Sequence, residues 1–354
     1  MKTARLRYFA ACNSEEGFYS FYKNVFTSDL THIYIIKGGP GTGKSSLMSR
    51  VADRAEGKGY RVEEIYCSSD PASLDGVIVH GRDESFAVLD GTAPHVTEME
   101  LPGARDEILY VGDFWSSEIL REQKEEILRE SRARAEGYRR LYRYLRAAGA
   151  CERNMEETVS AFLNHHKMKD AVAHILSRYP VGVDFSAKTM VTSSIGMRGA
   201  VRFHTFEDAS DIVFRVVDHA GAARYLFDEI FRQAKERRTN VWVSYDPLIP
   251  THIDGICLPD FRLSFVKAER TEKGDSGEIH RISMKRYLRT DGYEAAQDIL
   301  DTARKNKDRL MLAALETLRQ IRELHFLIES RYVSAMDFNA MRIYTDRWLE
   351  KILP

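Results

Sequence analysis

The sequence predicts an α/β protein of two tandem lobes. Each lobe is predicted to be a parallel sheet flanked by helices and followed by a long helical hairpin, and the second lobe is degenerate. Three observations support this: a glycine-rich segment joins a strand to a helix, the second half repeats the first, and both halves end in charged helical segments. The 354 residues agree with two domains of roughly 150 residues or more. We predict them at residues 1–186 and 187–354.

Composition and charge disfavour several classes of protein. Hydrophobic residues make up 44% and charged residues 30% of the chain, which is typical of a globular protein. With 52 Lys and Arg against 53 Asp and Glu, nothing predicts the basic surface of a nucleic-acid binder. No apolar run approaches the roughly 18 residues of a membrane span, and the four cysteines lack C-x-x-C spacing. We therefore expect a cytoplasmic protein with no membrane span and no nucleic-acid partner.

One segment carries a specific binding motif. Residues 38–45 read Gly-Gly-Pro-Gly-Thr-Gly-Lys-Ser and fit G-x-x-x-x-G-K-[ST], the phosphate-binding loop or Walker A motif. Glycines let the backbone wrap around a phosphate and present its N–H groups, and a following helix adds its dipole. In this pattern Lys44 reaches the β- and γ-phosphates, and the Ser45 hydroxyl is a Mg²⁺ ligand. The motif predicts binding of ATP and Mg²⁺ by Gly38, Gly39, Pro40, Gly41, Thr42, Gly43, Lys44, Ser45 and Ser46.

The segments on both sides of the loop support this prediction. Residues 31–36 form a β-branched and aromatic run that predicts a buried parallel strand. After the loop, apolar residues recur at helical spacing until Gly57-Lys58-Gly59. Strand, glycine-rich turn and helix is the setting that the motif requires. The alternative is a glycine-rich surface turn without a ligand.

An acidic residue ends a strand of the same predicted sheet. Residues 60–66 predict the second strand and residues 86–89 the third, with Asp90 directly after it in the Walker B position. There Asp90 can hold Mg²⁺ through water. The alternative is that Asp90 only begins a turn with Gly91. Gly91 stands where many ATP-hydrolysing motors have a glutamate, which argues mildly against a fast ATPase.

Two further polar residues are candidates for catalysis at this edge of the sheet. Asp75 lies in the predicted loop after the second strand, and His95 lies after the third. We consider both as acceptor-site or water-positioning residues, with Asp70 and Thr92 nearby, although such residues often serve only as caps or in turns. The predicted catalytic residues are thus Lys44, Asp90, Asp75 and His95, and the predicted metal ligands are Ser45 and Asp90.

The second half contains a degenerate copy of this unit. Residues 62–87 overlay residues 241–266 without a gap at an offset of 179 (241 − 62), with seven identical positions. At an offset of 180 the phosphate loop falls on residues 218–225, where Arg replaces Lys and Tyr replaces the Mg²⁺ hydroxyl. Glu269 falls opposite Asp90, but after a strand that we expect Lys267 to break. We predict a second site without nucleotide, or a weak anion site at Arg224; convergent patterns in two α/β units are the alternative.

Long helical segments follow each copy. We predict helices at 118–148 and 155–177, then at 293–324 and 338–353, with a loop tip at 273–277. The first segment carries a basic run, for which we expect a solvated face, with an anionic partner as the alternative. The run consists of Arg132, Arg134, Arg139, Arg140, Arg143 and Arg146.

The motifs at residues 37–46, 67–79 and 88–95, with the degenerate repeat behind them, resemble a bacterial family of tandem P-loop ATP-binding proteins. Its members are described as ATPases or nucleotide-kinase-related proteins. The resemblance covers the whole chain and is most specific in residues 1–115. Many members keep a phosphate loop in both halves, and this sequence departs from them by losing the second. The resemblance implies Mg·ATP binding at residues 38–45 and no particular substrate.

Three functions remain open at this point. The first is an ATPase or ATP-switched regulator, in which the second lobe is a scaffold and an arginine completes the site. Arg105, Arg198 and Arg224 are the candidates for that arginine. The second is a small-molecule or nucleotide kinase with an unknown acceptor. The third is an ATP-gated interaction protein, in which the helical hairpins bind a protein partner.

Overall fold

The computed structural model describes residues 5–82, 84–268 and 278–354, and the predicted loop tip at 273–277 and Glu269 lie outside them. A six-stranded sheet forms in each half. The strands of the first half are β1 (Leu6–Phe9), β2 (Ala11–Ser14), β3 (Gly17–Ser20), β4 (His32–Lys37), β5 (Arg61–Tyr66), β6 (Leu74–His80), β7 (Ser85–Asp90) and β8 (Asp106–Tyr110). The first sheet has the order β1-β5-β6-β7-β4-β8, and β2 and β3 form a separate hairpin.

The first sheet is mixed, so the prediction of a parallel sheet is wrong in one strand. β6 runs antiparallel to both β5 and β7, whereas β4 is parallel to β7 and β8. Only residues 67–73 connect β5 to β6, and a parallel return needs a crossover of about a dozen residues or more. Asp75 consequently lies at the start of β6 and not in a loop.

The second half repeats this topology strand for strand. Its strands are β9 (Ala187–Thr189), β10 (Ser193–Gly196), β11 (Gly199–Arg202), β12 (Ile212–Val217), β13 (Val241–Tyr245), β14 (Ile253–Leu258), β15 (Leu263–Ala268) and β16 (Glu278–Ser283). The sheet order is β16-β12-β15-β14-β13-β9, with β14 antiparallel to both neighbours. β12 lies 180 residues after β4 (212 − 32), at the offset of the sequence overlay. The two tandem lobes therefore agree with the predicted repeat.

Long helices connect the two halves. The helices are α1 (Tyr22–Val25), α2 (Lys44–Gly57), α3 (Ser117–Glu122), α4 (Lys124–Ser160), α5 (His165–Leu176), α6 (Thr205–Asp208), α7 (Ala223–Glu236), α8 (Tyr293–Ala335) and α9 (Phe338–Ile352), with 3-10 turns at Val111–Phe114, Pro259–Phe261 and Met284–Tyr287. α4 continues through residues 149–154, where we expected a break. Among the described residues, no helix combines the length and apolar character that crossing a bilayer needs.

α4 and α8 pack side by side and run antiparallel. Glu130 near the start of α4 binds Arg331 near the end of α8, and Glu152 near the end of α4 binds Lys307 near the start of α8. Gly137 allows the two helices to approach, since a Cβ there would lie 2.8 Å from the Ile321 side chain. With 37 residues, α4 is about 55 Å long. It therefore spans from one sheet to the other.

Each helical hairpin packs on the sheet of the other half. Met341, Trp348 and Leu349 of α9 belong to the core formed by the first sheet and α2. The end of α4 and α5, with Met168 and Val172, belong to the core of the second sheet and α7. The inner faces of the two sheets share a third core, which includes α1 and α6. The division at 186/187 thus separates the two sheets, but neither half contains a complete core.

Candidate functional site

The glycine-rich segment of the predicted phosphate loop joins a strand to a helix, as the sequence predicts. β4 ends at Lys37, α2 begins at Lys44, and the left-handed turns between them use Gly41 (φ 69°) and Gly43 (φ 83°). The Lys44 ammonium folds back over the loop and donates to the carbonyl oxygens of Gly39 (2.6 Å) and Gly38 (3.3 Å). The lysine therefore binds carbonyl oxygens of its own loop, and a bound anion would compete with these oxygens for the ammonium group.

The two predicted metal ligands lie on either side of this lysine. Asp90 ends β7, which pairs directly with β4, and its Oδ2 lies 3.5 Å from Nζ of Lys44. Its other oxygen accepts from the amide (2.9 Å) and the hydroxyl of Thr92, so Asp90 also has the turn role considered as the alternative. The Ser45 hydroxyl accepts from the Leu74 amide at 2.9 Å. Hydroxyl and carboxylate oxygens are the hard ligands that suit Mg²⁺.

Asp75 and His95 form a buried pair. Nε2 of His95 lies 2.9 Å from Oδ2 of Asp75, and both side chains are almost fully buried. The His95 ring stacks on Tyr22 with centroids 4.5 Å apart, which fixes its orientation. The antiparallel strand β6 brings Asp75 to the loop after β7. The sequence selected both residues but did not predict that they touch.

A cavity of about 820 Å³ opens beside the loop and brings these residues together. The loop, Asp90, Asp75 and His95 form one wall. The opposite wall comes from the two long helices, and none of its residues was selected from the sequence as a site residue. The additional lining side chains include Cys67, Arg134, Tyr138, Arg139, Tyr142, His325, Glu329 and Phe338. In the sequence, only the basic run of α4 pointed to this wall. Two of its six arginines, Arg134 and Arg139, line the cavity.

The helical wall adds positive charge opposite the loop. Arg134 of α4 donates to Nδ1 of His325 of α8 at 3.4 Å. Burial and the charge of Arg134 lower the pKa of His325, so its ring is held neutral as an acceptor. Burial and the nearby Asp70 raise the pKa of Glu329. The cavity is therefore lined by charges of both signs: Lys44, Arg134 and Arg139 against Asp70, Asp75, Asp90 and Glu329.

The three arginine candidates have different positions. Arg105 pairs with Asp106 at the start of β8, at the end of the sheet away from the loop. Arg224, in the second half, pairs with Glu156 of α4. Arg198, in the turn between β10 and β11, binds Asp70 at 2.7 Å and is the one candidate of the three beside the cavity.

The degenerate loop is satisfied by its own carboxylate. Asp218 accepts from the amides of Gly221 (3.1 Å) and Ala223 (2.8 Å), which are donors that a phosphate would otherwise use. Arg224 lies 3.3 Å from the buried carboxylate of Glu156. That the second site binds no nucleotide stays a prediction.

Lys267 does not break the strand that precedes Glu269, so that expectation is wrong. β15 continues through Lys267 to Ala268. The Lys267 ammonium lies 3.3 Å from a carboxylate oxygen of Asp246, and this partner compensates the charge.

Comparisons of the chain with protein-family models, with curated proteins and with solved structures gave no match.

Proposed function

We propose that the first half binds Mg·ATP at residues 38–45 and hydrolyses it, with the second half as an inactive scaffold. The observation that carries the proposal is the position of Lys44. Its ammonium lies over the loop carbonyls, 3.5 Å from the Asp90 carboxylate, at the floor of a cavity of about 820 Å³. A cavity of this volume lies within the usual range of ligand sites, roughly 300–1,000 Å³.

The surrounding residues supply the parts that phosphoryl transfer needs, which are positioning and charge stabilisation. Ser45 and Asp90 are the residues that would hold Mg²⁺, which neutralises phosphate charge when bound. Lys44 would leave the loop carbonyls for the β- and γ-phosphates. Arg134 faces the same cavity and is a better placed cation than Arg105 or Arg224. The Asp75–His95 pair would position the attacking water.

A kinase is the second candidate, and the extent of the cavity favours it. The space continues from the loop to Asp75–His95 and to Tyr138 and Tyr142 of α4. An acceptor hydroxyl bound there would lie beside the Asp75–His95 pair and the terminal phosphate. The unknown acceptor would then replace water as the nucleophile.

Release of phosphate from γ-labelled Mg·ATP tests the proposal and separates the two candidates. We expect release by the wild-type chain and by Arg224→Ala, and no release by Lys44→Ala. Loss of a charge-assisted contact costs about 1.5–3 kcal/mol, so ATP affinity should fall roughly ten- to hundredfold in Lys44→Ala only. Tight binding without release in the wild type would favour the kinase. Equal affinity in Lys44→Ala would contradict the site assignment.

A further inference from the structure

Three side chains with metal-ligating atoms converge on one wall of the cavity. Sγ of Cys67, a carboxylate oxygen of Asp75 and a ring nitrogen of His95 all lie within 4.8 Å of one another. They come from three different places in the chain: Cys67 directly follows β5, Asp75 begins β6, and His95 lies in the loop after β7. The mixed sheet brings them to the same edge.

Two buried polar atoms at this cluster lack a hydrogen-bond partner among the described residues. Nδ1 of His95 and Oη of Tyr22 are buried and have no hydrogen-bond partner in the described part of the chain. Burial, and then the nearby Asp75 and Asp90, raise the pKa of Tyr22, so its hydroxyl stays protonated. A buried polar atom without a hydrogen-bond partner is commonly explained by a bound water or ion.

We propose that Cys67, Asp75 and His95 bind one transition-metal ion, with Zn²⁺ the best match. A thiolate with an imidazole selects Zn²⁺ over Mg²⁺, which prefers an all-oxygen set. Three protein ligands are the number found in catalytic zinc sites, where the fourth position takes water or substrate. This site is separate from the predicted Mg²⁺ position at Ser45 and Asp90, and it does not require nucleotide.

Binding of the ion requires a proton to leave the cluster. A metal ion binds the Cys67 sulfur as the thiolate, so the thiol must give up its proton. On binding, the S–H bond is replaced by a sulfur–metal bond and one proton passes to solvent. The Leu74 amide, directly before Asp75, donates to the Ser45 hydroxyl. This contact places the proposed metal site beside the phosphate loop, where an open position would take water or an oxygen of the acceptor.

Titration of the reduced, full-length chain with Co²⁺, without nucleotide, tests the proposal directly. Co²⁺ replaces Zn²⁺ in such sites, and a bound thiolate produces a sulfur-to-cobalt charge-transfer band. We expect one Co²⁺ per chain with that band, displaced by Zn²⁺ and retained in a large excess of Mg²⁺. Absence of the band in the wild type overturns the proposal, whatever the variants do.

Three variants locate the ion. Cys67→Ser should lose the charge-transfer band, and Cys151→Ser, a half-buried cysteine outside the cluster, should keep it. Lys44→Ala should also keep the band while losing ATP affinity, which separates this proposal from that of the nucleotide site. A band of full intensity in Cys67→Ser would place the ion elsewhere and contradict the assignment.

Discussion

Glu63 lies on β5, and its fully buried carboxylate connects the two halves. Tyr8 donates to one oxygen at 2.6 Å, and His80 and Lys188 contact the other. Lys188 belongs to β9, so the contact joins the first sheet to the second. Burial alone would raise the pKa of Glu63, but the bonds from His80, Lys188 and Tyr8 hold it at about 2.

This pKa predicts a pH dependence of stability. Because the folded pKa is below the ordinary value of 4.5, the charged carboxylate stabilises the fold above pH 4.5, and this contribution is lost as the pH falls toward 2. Between pH 5 and pH 3 the wild type should lose about 2 kcal/mol more unfolding free energy than Glu63→Gln. Urea unfolding at the two pH values measures the difference. The same pH dependence in both proteins would exclude Glu63 as its source.

A long helix packs against each glycine loop. A Cβ on Gly41 would lie 2.5 Å from Cγ of Glu329 on α8, and a Cβ on Gly221 would meet Glu156 on α4 in the same way. Both glycines have positive φ, at 69° and 81°. The two contacts are equivalent in the repeat, but only the first loop keeps the lysine and the hydroxyl.

This equivalence provides a matched pair of variants. Gly41→Ala and Gly221→Ala should each destabilise the fold by about 1–2 kcal/mol, because alanine at positive φ is strained. Gly41→Ala should also raise the Kd for Mg·ATP at least about tenfold, or about 1.4 kcal/mol, since the helix or the loop must move. Calorimetric titration of both variants decides this. Weaker binding in Gly221→Ala as well would show that general destabilisation is responsible.

The exchange of helical hairpins makes each half depend on the other for its hydrophobic core. The bridge between Trp115 and Met336 places α8 and α9 beside the first sheet, and the bridge between Leu163 and Leu288 places α4 and α5 beside the second. Trp348 of α9 contacts Tyr34 of β4 edge to face, with centroids 5.0 Å apart. The C-terminal helix α9 therefore contacts the strand that leads into the phosphate loop.

Cleavage of the connection between α5 and β9 tests this interdependence. Val183 is 93% exposed there, so a specific protease site inserted after it should be cut without disturbing a core. We expect the two fragments to elute together in size-exclusion chromatography.

Residues 1–186 expressed alone should show no cooperative unfolding, because they lack α9. A cooperative transition in that fragment would mean that the lobe folds independently.

Features encoded within short segments could be predicted from the sequence. The structure agrees with the strand, turn and helix predicted around Lys44, with Asp90 at the end of its strand, and with the repeat at offsets of 179 and 180. Each depends on the spacing of neighbouring residues, on glycine at positive φ or on the alternation of apolar side chains, which are local properties. Asp75 and His95 were selected for the same reason, as polar residues near strand ends.

Which distant segments lie in contact could be seen only in the tertiary structure. The antiparallel return of β6, the contact of Asp75 with His95 and Cys67, and the wall of Arg134 and His325 involve residues that are distant in the chain. The exchange of hairpins depends on the length of α4 and α8 and on which apolar face covers which sheet. Because both hairpins carry similar amphipathic patterns, either sheet offered them a suitable core, and the periodicity of the sequence could not distinguish the two arrangements.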